Sequence, residues 1–366
     1  MKRIVSTLGL AVCAIALVGQ LTAQTWQVAG PAPRFGHSAV LDSTTNTTVI
    51  FGGRVGNTNA SPYLNANDVW RLNSNLTWTV LSPTGAPPTG RFDHSAVYDA
   101  ANNRMIIFGG AEGNASPCAN DVWVLANANG KTGTPAWVQL APSGTAPSPR
   151  GSIGAGYDPN TNSMIVYGGH NCFAVLPGEV WVLSNANGLG ETPAWTQLTP
   201  AGGGPGGREI NGGVAYDSAN NRLIVFGGAS TSGDNNDVWV LTNANGQGGT
   251  PTWVQLAPSG TLPAARDSNS TVYDPKNNRL TIFGGENSGG ILQDAWVLTN
   301  ANGLGGTPAW TQLGPFSFFP EPRWGHTGGY NPKTNKMTIF GGSTFYNGSV
   351  DINTNDVWVL NHANGK

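Results

Sequence analysis

The chain has 366 residues and a formal net charge of −2, and only 10% of its residues are charged. No basic patch is present to neutralise phosphates, which excludes a nucleic-acid-binding protein. The 52 glycines and 25 prolines would suit a disordered chain, but the 13 tryptophans supply the apolar surface that disordered chains lack.

The first 23 residues have the pattern of a secretory signal peptide. Lys2 and Arg3 precede an apolar run over residues 4–18, and small and polar residues follow as far as Ala23. This order is typical of a cleaved export signal, and the run is too short to cross a bilayer comfortably. We therefore predict a signal peptide at residues 1–23 and a single mature domain at 24–366, secreted or periplasmic, with no membrane span.

Six glycine doublets divide the mature chain into repeats. The doublets lie at 52–53, 109–110, 168–169, 227–228, 284–285 and 341–342. Each closes a β-branched apolar run such as VIFGG, and each is followed by an acidic residue and a tryptophan, as in NDVW. In five repeats a second tryptophan comes later. Regular repeats of this size are typical of solenoids, propellers and arrays.

Each repeat contains four predicted strands. Strand a is an HSAVYD-like segment, and an Asp- and Asn-rich turn leads to strand b, which ends at Gly-Gly. Strand c contains the DVWVL segment and strand d the second tryptophan. No helical apolar period is present, so the pattern predicts an all-β fold.

The doublet, the NDVW segment and the later tryptophan resemble the kelch repeat, six times over the mature chain. The resemblance implies a six-bladed β-propeller of four-stranded blades. A glycine-rich NANG insert separates strands c and d in blades 2 to 5, and we predict that it forms a turn-rich connection on the face opposite the b–c loops.

The last repeat ends after its strand c, whereas the predicted mature N-terminus, QTWQVA, resembles a strand d that carries Trp26. We therefore predict that the N-terminal strand completes blade 6. Such pairing would remove an open sheet edge, which would otherwise invite aggregation.

An arginine begins every strand a, and an acidic residue begins every strand c. The arginines are Arg34, Arg91, Arg150, Arg208, Arg266 and Arg323, and the acids are Asp68, Asp121, Glu179, Asp237, Asp294 and Asp356. Both positions belong to one face of a propeller, so the pattern predicts a structural ring of Arg–carboxylate pairs. An anion-binding ring is the alternative, although the carboxylates would cancel its field.

Blades 6, 1 and 2 differ from the others on this face. An aromatic residue and a histidine follow their arginines, whereas Gly151, Glu209 and Asp267 follow the other three. Blades 1 and 6 also have the longest b–c loops, and such loops often bind ligands. We predict a binding sector that contains Phe35, His37, Phe92, His94, Phe318, Phe319, Arg323, Trp324, His326, Phe345 and Tyr346. The alternative is packing, because the resemblance implies that a histidine at this repeat position is usually packed.

Two cysteines remain after export, Cys118 and Cys172, in the b–c loops of adjacent blades. They form either a disulfide, as an oxidising compartment permits, or two free thiols. The three sector histidines lie on separate blades without ligand spacing, so no metal or other cofactor is predicted.

These observations predict an exported, monomeric binding or interaction module for a glycan or a protein partner. The alternative is a carbohydrate-active enzyme, because the kelch resemblance extends to galactose oxidase and to sialic-acid epimerases. The copper ligands and seven blades of the oxidase have no match here, and no catalytic residue is predicted. Fold alone does not decide between the two functions.

Overall fold

The computed structural model of the protein describes residues 29–56, 64–113, 118–346 and 351–366. Every regular element in these ranges is a β-strand. The predicted signal peptide and the predicted closing strand with Trp26 lie outside the described residues.

Blades 1 and 2 are four-stranded antiparallel sheets with the strand orders β2-β3-β6-β7 and β8-β9-β10-β11. The strands of the first repeat are β1 (Arg34–Phe35), β2 (Ser38–Asp42), β3 (Thr47–Phe51), β4 (Arg54–Val55), β5 (Leu64–Asn65), β6 (Val69–Leu72) and β7 (Trp78–Leu81). Those of the second are β8 (Ser95–Asp99), β9 (Arg104–Phe108), β10 (Val122–Ala126) and β11 (Ala136–Leu140). The short strands β1, β4 and β5 pair in a small sheet of their own.

Blades 3 and 4 repeat this arrangement, with the orders β12-β13-β14-β15 and β16-β17-β20-β21. The strands of the third repeat are β12 (Gly154–Asp158), β13 (Ser163–Tyr167), β14 (Val180–Ser184) and β15 (Ala194–Leu198). Those of the fourth are β16 (Val214–Asp217), β17 (Arg222–Phe226), β18 (Ala229–Ser230), β19 (Gly233–Asp234), β20 (Val238–Thr242) and β21 (Thr252–Leu256).

Blade 5 has the order β22-β23-β26-β27, and blade 6 has three strands among the described residues, in the order β28-β29-β32. The strands of the fifth repeat are β22 (Ser270–Asp274), β23 (Arg279–Phe283), β24 (Glu286–Asn287), β25 (Gly290–Ile291), β26 (Ala295–Thr299) and β27 (Ala309–Gln312). Those of the sixth are β28 (Thr327–Asn331), β29 (Lys336–Phe340), β30 (Ser343–Tyr346), β31 (Asp351–Asn353) and β32 (Val357–Asn361).

The first strands of the blades surround a common axis. Each of β2, β8, β12, β16, β22 and β28 contacts the next, and β28 contacts β2. The second strands, such as β3 with its wholly buried TTVIF sequence, are covered on both faces, which suits β-branched residues. The all-β kelch-type propeller expected from the repeats is confirmed.

The tryptophan of strand d packs across the join between blades. The ring of Trp137 lies 4.9 Å from Phe51 of the preceding blade, and Trp78 of blade 1 lies 4.7 Å from Phe340 of blade 6. The equivalent pairs are Trp195 with Phe108, Trp253 with Tyr167, and Trp310 with Phe226. Each pair therefore buries aromatic surface between two sheets rather than within one.

Glycine doublets bring neighbouring blades into backbone contact. The N–H of Gly110 donates to the carbonyl oxygen of Arg150 in the next blade at 2.8 Å, and Gly342 donates to Arg34 at 2.9 Å, across the join between blades 6 and 1. Gly110 has a φ of +97°, and a Cβ there would lie 2.8 Å from the carbonyl oxygen of Phe92. This doublet therefore needs glycine for both conformation and space.

The NANG insert does more than turn the chain, which the sequence did not predict. Its second asparagine is buried and donates to the last residue of strand a in the preceding blade, as Asn129 does to Asp42 at 2.8 Å. The other NANG pairs are Asn187 with Asp99, Asn245 with Asp158 and Asn302 with Asp217. In the similar HANG segment after strand c of blade 6, Asn364 donates to Asp274. Blade 1 lacks the insert, and blade 6 correspondingly has Asn331 in place of the aspartate. Asn331 donates to Asn46 of blade 1 at 2.6 Å.

An apolar groove of about 60 Å³ lies beside the outer edge of blade 6. It is lined by Phe283, which occupies in blade 5 the position of Phe51 in blade 1, and by Leu360 of β32. Among the described residues, β32 pairs only with β29. The groove is thus the place where the tryptophan of a strand d would pack in blade 6.

We expect Gly110→Ala to lower the free energy of unfolding by about 3 kcal/mol, because the new Cβ adds a clash to the strain of a positive φ. Gly190→Ala is the matched control: its φ is +88°, but nothing lies within 4 Å of the new Cβ, so about 1 kcal/mol of strain is expected. Chemical denaturation measures both, and equal losses would contradict the close approach.

Trp26→Ala should cost about 3 to 5 kcal/mol, as for a core tryptophan, if this segment fills the groove beside Phe283. Gln27→Ala is the control, because the residue after the tryptophan of β11, Val138, is exposed. Thermal unfolding followed by near-UV circular dichroism measures the effect. An unchanged melting temperature for Trp26→Ala would refute closure by the N-terminal segment.

Candidate functional site at the axial mouth

The six predicted Arg–carboxylate pairs all form in the structure. Each arginine is at most 5% exposed and contacts the acid that begins strand c of its own blade, at N–O distances of 2.5 to 2.7 Å. The carboxylate also accepts from a tryptophan, as Asp121 does from Trp123 at 2.7 Å. Burial alone would raise the pKa of Asp121, but hydrogen bonds from Arg91 and Trp123 hold it below the usual value. These paired groups favour the structural interpretation over an anion site.

The three sector histidines are buried at the joins between blades. Nε2 of His94 lies 2.7 Å from the hydroxyl of Ser38, and Nε2 of His326 lies 2.9 Å from that of Ser270. His37 contacts Thr327 in the same way at 2.8 Å. Burial lowers the pKa of His94 and of His326 to about 3, so both stay neutral at physiological pH. The geometry favours packing as their role.

These histidines nevertheless line a cavity of about 210 Å³ on the propeller axis. All six blades contribute to its wall, mostly with small or neutral residues such as Ser95, Gly154, Gly212 and Thr271. The cavity therefore offers hydroxyl and backbone groups rather than charge. We call the ring of residues that directly follow the six arginines, together with Asp93, the mouth.

Aromatic side chains form one half of the mouth. The ring of Phe35 lies 4.7 Å from Trp324 and 6.2 Å from Phe92, so blades 6, 1 and 2 meet in one cluster. The guanidinium of Arg54 lies 4.1 Å from the centre of the Phe92 ring, which is a cation–π distance. Phe35 is buried, whereas Phe92 and Trp324 are half-buried. The structure thus brings together three aromatics of the predicted sector, whose role in binding stays a prediction.

Carboxyl groups complete the mouth: Glu209 and Asp267 follow the arginines of blades 4 and 5, and Asp93 follows Phe92 of blade 2. We call these three residues the acidic half. Burial raises the pKa of Asp93 and of Asp267 to about 6, and that of Glu209 is also raised by burial. Repulsion from Asp234, Glu209 and Asp93 adds to the shift of Asp267. Sequence reasoning treated blades 4 and 5 only as lacking aromatics. The available signal was the pair of acids at the repeat position that carries an aromatic in blades 6, 1 and 2.

The remaining residues of the predicted sector lie elsewhere. Phe318 and Phe319 are 87% and 46% exposed and line the groove beside β32, not the mouth. Arg323 is paired with Asp356. Residues 345 and 346 belong to β30, but their side chains lie outside the described part of the structure. The predicted sector therefore divides between two places.

A disulfide joins Cys118 and Cys172, whose Cα atoms are 5.5 Å apart. It links the b–c loops of blades 2 and 3 and adjoins His170. Nδ1 of His170 accepts from the backbone N–H of Cys172 at 2.9 Å, and Nε2 lies 3.1 Å from the hydroxyl of Ser152. Since Nδ1 is an acceptor, neutral His170 carries its proton on Nε2 and donates to Ser152. It therefore does not serve as a general base for that hydroxyl, as a serine triad would require.

Three comparisons with known proteins agree with this geometry. The KLHDC2/KLHL20/DRC7 Kelch-repeats domain matches residues 17–209, 131–299 and 219–366. Among solved structures the chain is similar to YjhT, with a TM-score of 0.60 and 16% identity over 91% of this chain and 99% of that one. At this identity the likeness shows the fold alone.

Two curated relatives are much longer than this chain. Dynein regulatory complex subunit 7 of Chlamydomonas reinhardtii is 31% identical over 37% of this chain and 11% of its own length. Putative adagio-like protein 2 of Oryza sativa subsp. japonica is 27% identical over 82% of this chain and 45% of its own length. The chain thus spans less than half of each. No helix among the described residues is long and apolar enough to cross a membrane.

We expect Asp267→Asn to raise the free energy of unfolding by about 1 to 2 kcal/mol at pH 7.5. The pKa of about 6 in the folded chain exceeds the usual value of 3.8 for an aspartate. The carboxyl group therefore stabilises the fold below pH 3.8 and loses this contribution as pH rises through 6. The gain in the variant should therefore vanish near pH 4. Urea denaturation across pH measures it, and exposed Glu191→Gln is the control. A gain that persists at pH 4 would contradict the shift.

Proposed function

We propose that this chain, which belongs to the KLHDC2/KLHL20/DRC7 kelch-repeat family, is an exported interaction module. It binds a basic segment of a protein partner at the mouth. Kelch domains generally mediate protein interactions. The observation that carries the proposal is the division of the mouth into an aromatic half and an acidic half. A basic segment with an aromatic or apolar neighbour complements both halves.

The acidic half differs from the other carboxylates of this face. The acids that begin strands c are each bonded to a buried arginine, whereas no ion pair of the described residues includes Asp93, Glu209 or Asp267. Burial is the main cause that raises the pKa of all three, and repulsion from Glu209 adds to it at Asp93 and Asp267, whereas His170 and Arg54 partly offset it at Asp93. A lysine or arginine from a partner would relieve that repulsion, and complementary charge also speeds and orients association.

The aromatic half supplies the apolar contact. Trp324 and Phe92 each expose part of their ring, and partly exposed aromatics are typical anchors of protein interfaces. The axial cavity below the mouth adds neutral hydroxyl and backbone groups that suit a peptide. A neutral glycan could stack on the aromatic half and donate its hydroxyl groups to the carboxyl groups, but only a basic segment would also balance their negative charge. The geometry therefore favours a protein over a glycan, and no observation favours an enzyme.

A displayed library of random peptides, selected on the immobilised protein, tests this function. We expect enrichment of segments that combine Lys or Arg with an aromatic residue. Affinity of a selected peptide, measured by fluorescence anisotropy at pH 7.5, should fall at least tenfold in Glu209→Gln/Asp267→Asn and in Trp324→Ala. It should also fall as pH is lowered from 7.5 to 5, because Asp267 becomes protonated.

Glu191→Gln, an exposed acid in the insert of blade 3, is the matched control and should bind as the unmodified chain does. Equal affinity in the mouth variants, or selection of acidic peptides, would overturn the proposal. Binding in a parallel glycan array that Trp324→Ala abolishes and Glu209→Gln/Asp267→Asn preserves would replace the protein partner with a glycan.

A further inference from the structure

Three side chains with metal-binding atoms lie together in the b–c loops of blades 2 and 3. The sulfurs of Cys118 and Cys172 and a ring nitrogen of His170 all lie within 4.8 Å of one another. The sulfurs are bonded to each other, so the set is available to an ion only after reduction. We propose that reduction of this disulfide creates a two-cysteine, one-histidine site for a divalent ion of the zinc type.

The chemistry of the donors selects this class of ion. Thiolate sulfur and imidazole nitrogen are the donors that zinc prefers, and three protein ligands leave the fourth tetrahedral position to water. Two thiolates also balance the double positive charge of the ion. The neutral complex suits a place where Cys118 is 4% exposed and the other two residues are half-buried. An ion such as Ca²⁺ or Mg²⁺ would need oxygen ligands instead.

Backbone contacts other than the disulfide position two of these donors, Cys118 and His170. Gly151 and His170 exchange both backbone hydrogen bonds, at 2.9 and 3.0 Å, and Cys118 is bridged to Ala111 of its own loop. A Cβ on Gly151 would lie 3.5 Å from Nε2 of His170 and 3.6 Å from the sulfur of Cys118. Nε2 of His170 and the sulfur of Cys118 therefore both lie within van der Waals distance of one point beside Gly151.

The reaction that exposes the site is a two-electron exchange. A dithiol reductant gives two electrons and two protons to the disulfide, which becomes two thiols, and the reductant becomes its own disulfide. When the ion binds, the thiols of Cys118 and Cys172 release those two protons to solvent and become thiolates. Ligation by neutral His170 ends at least one of its hydrogen bonds: either Nδ1 gives up the bond from the N–H of Cys172, or Nε2 gives up the bond to Ser152 as its proton moves to Nδ1. In both cases the ring contributes a lone pair and releases no proton to solvent. Atoms and charge therefore balance, and no other co-reactant is needed.

Cobalt(II), which reports thiolate ligation by colour, is the probe. The purified full chain is reduced with dithiothreitol, freed of reductant without oxygen and titrated with Co²⁺. We expect one equivalent to bind, with a sulfur-to-cobalt charge-transfer band and the visible bands of a tetrahedral ion, and Zn²⁺ should displace it. The unreduced chain, which is folded, should give neither band.

Three variants decide which residues bind the ion. The charge-transfer band should be absent in Cys118→Ser/Cys172→Ser, which retains Cys13 and so measures background. Affinity should fall at least tenfold in His170→Asn, which keeps a polar side chain of similar reach, and stay unchanged in His362→Ala. Melting temperatures establish that each variant is folded. Equal binding by the double serine variant or by the unreduced chain would overturn the site, and equal binding by His170→Asn would overturn its histidine ligand.

Discussion

A buried arginine at the start of every repeat fixes the join between neighbouring blades. Its guanidinium contacts the acid of strand c and donates to the first glycine carbonyl of the doublet in its own blade, as Arg91 does to Gly109 at 2.9 Å. Its backbone carbonyl accepts from the doublet of the preceding blade. One residue thus connects three segments of its own sheet and the end of another. A buried charge is costly unless it is fully paired, so this position tolerates little change, and it sets where the following residues lie.

The mouth follows from that constraint. Because the arginine is fixed, the residue after it occupies an equivalent position in every blade. The residue type at this position differs between blades: Trp324, Phe35 and Phe92 lie on one side of the mouth, and Glu209 and Asp267 on the other. The same regularity explains the cavity below, where small side chains of the first strands leave room near the axis. The frame is built from equivalent contacts, and the residue after the arginine is one of the positions at which the repeats differ most in chemistry. This division is how a repeat fold combines stability with a specific surface.

Local and repeated patterns were predictable from the sequence, and contacts between blades were less so. Complementary charges at fixed repeat positions predicted the arginine pairs, and the aromatic cluster followed from the adjacency of blades 6, 1 and 2. The role of the NANG asparagines was missed, because it depends on which aspartate of another repeat approaches them. Phe318 and Phe319 were placed with the mouth because their loop enters blade 6, but the backbone directs them to the groove beside β32. The acids of blades 4 and 5 were visible, yet their mutual repulsion depends on a burial that only the folded ring creates.

The hydrogen bond between Asn331 and Asn46 makes the join between blades 6 and 1 chemically different from the other five joins. At those five joins an asparagine amide donates to an aspartate of the preceding blade. Duplicated copies of the middle repeats would therefore still form this hydrogen bond with one another. The sixth join uses a different pair, and a middle repeat placed after blade 6 would offer its donor to an amide instead of a carboxylate. Gain or loss of a middle repeat therefore preserves these hydrogen bonds, whereas gain or loss of a repeat at the join between blades 6 and 1 does not. The number of repeats can drift through duplication while the first and last partners stay the same.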